Sequence, residues 1–137
     1  MTITPIYAAI AALLFVALSA RTIRGRRTAG VALGDGDDRL LQRAIRAHGN
    51  FAEYVPFTIL LMALAELRDG PVWTVHVIGL TLLAGRMIHA LGVSREPEQM
   101  RLRTLGMALT FTALITGALA NLGLTGLVSY LIGLVGS

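Results

Sequence analysis

Between positions 39 and 53 an otherwise oily chain carries Arg39, Arg43, Arg46, Asn50 and Glu53. Their spacings of four, three, four and three residues keep returning to one face of a helix that turns about 100° per residue. The other faces hold Leu40, Leu41, Ala44, Ile45, Ala47, Phe51 and Ala52. Guanidinium forks bind carboxylates through paired bonds, a carboxylate accepts from an ammonium or amide N–H, and an amide side chain does both. The stripe therefore suits an anion that carries one cationic group. Ionisable groups within a membrane segment are expensive and usually face a bundle interior or a cavity. The plainer alternative is that Glu53 and an arginine pair only to join two helices.

Composition sets the medium in which that stripe works. Of 137 residues, 55% are hydrophobic and 15% charged, and the mean hydropathy is +0.69. Soluble domains are typically about a quarter charged, so an all-α integral membrane protein is predicted. The absence of cysteine excludes disulfides, thiolate metal ligands and a cysteine nucleophile. No His, Asp and Glu arrangement has metal-ligand spacing, and no metal is expected. All 12 basic residues are arginine, and the net charge is +4. A nucleic-acid partner is not implied, because the arginines flank membrane segments without an aromatic-and-basic platform.

The hydropathy pattern predicts one domain over residues 1–137, with helices at about 5–24, 38–67, 72–92 and 100–122. The form of the apolar tail, 123–137, is left open. Pro5 suits the first turn of the first helix. Nothing basic precedes that helix, while Arg21, Arg24, Arg26 and Arg27 follow it. This predicts a retained span with the N-terminus outside and the first loop in the cytoplasm. Asp37 or Asp38 can cap the second helix. At ~45 Å that helix exceeds the ~30 Å oily core of a bilayer, so its first turns reach the cytoplasmic headgroups. Pro56 predicts a kink. Trp73, Tyr7 and Tyr130 are expected at membrane interfaces, and Gly106, Thr110 and Gly117 offer the fourth helix a small face for close packing.

Four spans put both termini outside. They also gather Arg46, Asn50 and Glu53, Arg86 and His89, and Arg103 in the cytoplasmic half, where Arg21 and Arg24 join them. Arg26 and Arg27 are assigned to lipid phosphates. Structural pairing alone would balance the charges, because an unpaired buried charge is costly. The surplus of arginine over one deep glutamate therefore expects an anion. A peptide with carboxylates and an ammonium, an organic acid and a lipid headgroup all meet that description.

The residues also carry a resemblance. Arg46-Ala47-His48-Gly49-Asn50-Phe51-Ala52-Glu53 followed by Pro56 resembles the second-helix signature of the MAPEG family, the membrane-associated proteins in eicosanoid and glutathione metabolism. Gly34-Asp35-Gly36, Gly85-Arg86-Met87-Ile88-His89-Ala90 and Arg103-Thr104-Leu105-Gly106-Met107 are similar to its bacterial branch. The resemblance implies a left-handed four-helix bundle that forms a homotrimer in the bacterial inner membrane. It implies glutathione as co-substrate, bound between subunits and facing the cytoplasm, with an apolar second substrate entering from the lipid. Carried over by position, Arg46, Asn50 and Glu53 would hold the peptide, with Arg43 one turn before them. Arg86 and His89 would line the site, and Arg24 would reach in from the first helix. Arg103 would stabilise the thiolate, with Thr104 where some relatives use serine; a nearby guanidinium lowers a thiol's pKa, and the thiolate is the nucleophile. Gly49, Val93 and Met107 depart from the eukaryotic pattern, which has an arginine at the first position and tyrosines at the other two. The expected function is a glutathione-dependent transferase or peroxidase acting on a lipophilic electrophile. The rivals are a non-catalytic binding or assembly protein of the same fold and a small transporter using Glu53.

Overall fold

A computed structural model describes residues 1–124 and Leu134. It contains α1 (Thr4–Ala29), α2 (Arg39–Leu67), α3 (Val72–Ser94) and α4 (Met100–Asn121). Each is long and apolar enough to cross a membrane, and no strand occurs among the described residues. The molecule is a four-helix membrane bundle. The tail beyond residue 124, including the interfacial position expected for Tyr130, lies outside the described residues apart from Leu134.

The helix ends follow from local chemistry. Asp38 is the residue that caps α2: its side chain accepts from Leu41 N at 2.9 Å. The first helix runs five residues past its expected end at 24 and carries all four of its arginines within the helix. Arginine is a good helix former, so the stop is set instead by Gly30, whose φ of 66° suits the left-handed cap. Val31 N then closes onto Arg26 O at 3.0 Å.

The core is apolar and aromatic: Phe51, Val55, Met62, Val75, Ile78, Leu82 and Ala113 pack together. Leu13, Val16, Phe57, Leu60, Leu80 and Ile115 point outward, as a lipid-facing surface requires. The closest helix pairing is α3 with α4, and glycine makes it possible. A Cβ on Gly92 would stand 2.7 Å from Arg103 N, and one on Gly106 would stand 2.5 Å from His89 N. Gly106, Thr110 and Gly117 are all buried, as the small-face argument expects. Tyr7 departs from its interfacial expectation. It is buried against Gly79, which has no side chain to exclude it, and its hydroxyl bonds His76 Nδ1 at 2.9 Å.

Candidate functional site

The C-terminal ends of α1 and α3 and the N-terminal ends of α2 and α4 meet at one end of the bundle. Between them lies a cavity of about 780 Å³. Five arginines line it, Arg26, Arg39, Arg43, Arg46 and Arg103, against two carboxylates, Asp35 and Glu98. Gln42 and Val93 complete much of the wall. Arg43 and Arg46 come from the polar stripe of α2; Arg103 comes from the first turn of α4.

The charges in this basin are partly engaged. Arg103 Nη1 lies 2.6 Å from Glu98 Oε1, with both side chains about one-third exposed. Arg43 donates to Arg95 O at 2.9 Å and stands 3.7 Å from Glu96 Oε1. Arg26 donates to Ala32 O and Gly34 O at 3.2 and 2.8 Å. Beside its expected contact with lipid phosphates, Arg26 thus serves the first loop, because the extension of α1 brings it back under that loop. Arg27 is exposed. Arg46 is exposed and has no ion pair or hydrogen bond among the described residues.

One layer deeper, Arg86 is buried on α3. Its Nε donates to Thr110 Oγ1 at 3.0 Å, one Nη donates to Asn50 O at 3.2 Å and to Asn50 Oδ1, and the other reaches Met107 Sδ at 3.4 Å. Its guanidinium carbon sits 5.7 Å from the Tyr54 ring centroid, a cation–π distance. No carboxylate pairs with it among the described residues. Because a guanidinium only donates, it fixes the carbonyl oxygen of Asn50 inward and leaves the amide N–H groups for another partner. Arg86 thus positions Asn50 and does not line the basin. His89 is buried one turn along α3, against Gly106.

The remaining candidates face outward. Glu53, Thr104 and Arg24 are exposed on the single chain. Arg24 Nε is turned back to Ala20 O at 3.3 Å. Glu53 has neither an ion pair nor a hydrogen bond among the described residues. It belongs to one continuous exposed face of α2, Arg39, Gln42, Arg46, Glu53, Phe57, Leu60 and Leu64, polar at the basin end and apolar beyond. Glu53 and Arg86 form no pair among the described residues; Arg86 meets α2 at Asn50 and Tyr54 instead.

Sequence reasoning missed Arg26, Asp35 and Glu98 as cavity residues. Asp35 and Glu98 lie on loops, where no periodicity indicates a direction, although the pairing of acidic loops with flanking arginines was a usable signal. Of the departures, Val93 lines the basin, whereas Met107 touches Arg86 in the layer beneath it. Between α1 and α2 runs a separate apolar groove of about 250 Å³, lined by Ala8, Ala11, Phe15, Val55 and Pro56. Phe15 also stacks on His48 at 4.7 Å.

A four-helix membrane bundle with an arginine-lined basin at one end describes a class, and comparison places the chain within it: residues 4–123 match the MAPEG family model. The chain belongs to the MAPEG family. It is 42% identical over 120 residues to the inner membrane protein YecN of Escherichia coli K12, covering 88% of this chain and 90% of that protein. YecN of Escherichia coli O6:H1 matches to the same extent. No solved structure matches.

Proposed function

We propose that the protein binds glutathione, or a similar anionic thiol, in the basin and joins it to a lipophilic electrophile or reduces that electrophile with it. The observation that carries this reading is the excess of guanidinium groups over carboxylates around one open cavity. Arg43 and Arg46 hold carboxylates, Asn50 offers its inward-locked amide as a donor, and Arg103 faces the sulfur. A thiolate beside Arg103 is stabilised by its charge, and the thiol proton leaves to water through the open mouth. The thiolate then forms a C–S bond at an electrophilic carbon, either expelling that carbon's leaving group as an anion or adding to an activated double bond whose carbanion takes a proton from water. At a peroxide it takes the distal oxygen as the O–O bond breaks, giving a sulfenic acid and an alkoxide that water protonates to the alcohol; a second thiol then converts the sulfenic acid to a disulfide and releases water. The apolar groove beside α1 supports a hydrophobic second substrate arriving from lipid. Thr104 would assist from beside Arg103.

The exposed α2 face supports a homotrimer built around it. A carboxylate facing hydrocarbon is costly, and a neighbouring copy would cover Glu53 and bring it, with Arg24, to a shared site, while His89 stays buried behind it in its own chain. The arginines at the basin end agree with a cytoplasmic mouth and outer termini, and the relatives' name agrees with the inner membrane.

Calorimetric titration of the detergent-solubilised protein with glutathione, read beside ultraviolet thiolate absorbance, tests the reading. Binding with thiolate formation is expected, and Arg103→Leu should abolish the absorbance. Binding without thiolate would leave a non-catalytic binding protein; no binding would overturn the proposal. Native mass spectrometry tests assembly: Glu53→Gln should shift the distribution away from trimer, and a wild-type monomer would remove the shared site.

A further inference from the structure

Both carboxylates paired to basin arginines come from one short connection, the α3–α4 strap Arg95–Gln99. Glu98 sits on Arg103 at 2.6 Å and Glu96 lies 3.7 Å from Arg43. The strap is also tied down independently of these pairs. Arg21 donates to Ser94 Oγ, and Gln99 N donates to Gly92 O at 3.2 Å. The strap therefore has anchors at its two ends other than the carboxylates.

Resting on the reading that the basin takes an anionic ligand, we infer that the strap is a tethered competitor. Glu98 and Glu96 occupy Arg103 and Arg43 until a ligand's anionic groups displace them. Partial exposure suits that role. The Glu96 and Glu98 side chains are 56% and 30% exposed, and such pairs are weak enough to exchange, about 1.4- to 5-fold in equilibrium terms. A short tether nonetheless holds a carboxylate at an effective concentration on the order of millimolar. Any anion entering the basin must displace that carboxylate, which raises its apparent dissociation constant by about two- to sixfold, and a ligand that engages both arginines at once displaces both. Glu98 thereby tunes the affinity of the basin without itself contacting the ligand.

The full chain in detergent, labelled with the arginine reagent phenylglyoxal and read residue by residue by mass spectrometry, tests this. Arg101 is exposed and unpaired among the described residues, so it serves as the internal reference. Glu98→Gln should raise the labelling rate of Arg103 about two- to fivefold with Arg101 unchanged. It should also lower by a similar factor the sulfate concentration that half-protects Arg103, and tighten glutathione binding to the same extent. Glu96→Gln should do the same at Arg43, more weakly. An unchanged Arg103 rate overturns the inference, and weaker glutathione binding by Glu98→Gln would make Glu98 a ligand contact instead. If glutathione binds neither protein while Arg103 is released and sulfate protects it, the competitor stands and the glutathione reading falls.

Discussion

At the end of the bundle opposite the basin, Glu66 receives three backbone N–H groups, from Thr2, Ile3 and Thr4. Nearby, Arg68 donates to Asn121 O, and Asn121 donates in turn to Leu61 O and Gly117 O. Glu66 and Arg68 close helix ends that would otherwise leave backbone donors or acceptors unsatisfied, and Asn121 ties α4 to α2. The basin end contains more charge and satisfies less of it. Arg46 has no partner among the described residues, and Arg43 and Arg103 share theirs with solvent. One end uses polarity to fasten the fold; the other keeps it available. Arg86 stands between the two modes: fully engaged, as at the fastened end, and holding the Asn50 oxygen one layer beneath the open one.

If that contrast is right, substitutions at the two ends should separate stability from binding. The largest effect is expected at Arg103. Arg103→Leu should lower thiol-transfer turnover by about 10²- to 10³-fold, the usual scale for losing one preorganised electrostatic contact, with little change in thermal midpoint. A midpoint that collapses instead would make Arg103 a fastener and erase the distinction.

Arg86→Met comes next. Losing the donor that locks Asn50 should weaken glutathione binding about tenfold, or 1.4 kcal/mol. Two effects oppose each other in the midpoint, the stranded Asn50 oxygen and the relief of a desolvated cation, so affinity is the measurement that decides. Unchanged affinity would show that Asn50 is oriented by other means.

Glu66→Ala should behave the opposite way. Removing a helix cap costs about 0.5–2 kcal/mol, visible as a lower thermal midpoint in detergent, while glutathione affinity stays as in the wild type. A fall in affinity would mean the two ends are coupled through α1 or α2.

The fastened end was the less legible of the two in the sequence, for a physical reason. Helix spans follow from hydropathy, and Asp38 and Gly30 cap by local rules, so the bundle itself was readable. The stripe spacing likewise singled out Arg43 and Arg46, and the topology brought Arg103 to them. Glu66 looked like part of a surface turn, because its partners lie more than sixty residues away at the start of the chain. Glu98 and Asp35 were hidden for a different reason: they lie on loops, where no periodicity indicates a direction. The direction of Arg86 was undecidable because α3 is apolar on nearly every face, and a membrane helix buries small residues while exposing large ones. Hydrophobic periodicity then no longer separates inside from outside. The same inversion explains Glu53 and Arg24: lying on the polar side of a helix did not distinguish a chain's interior from its exposed surface.

Arg24 therefore carries the smallest and most selective expectation. On its own chain it is exposed and touches only Ala20 O of its own helix, so Arg24→Ala should change stability by less than about 0.5 kcal/mol. Sulfate protection of Arg103 against labelling, which reports on the basin of one chain, should be unaltered. Any loss in glutathione affinity must then arise across a subunit boundary, and it should vanish in Glu53→Gln protein once that variant is monomeric. A loss that persists in the monomer would place Arg24 in the basin of its own chain, and α1 would have to turn its arginine face inward when ligand binds.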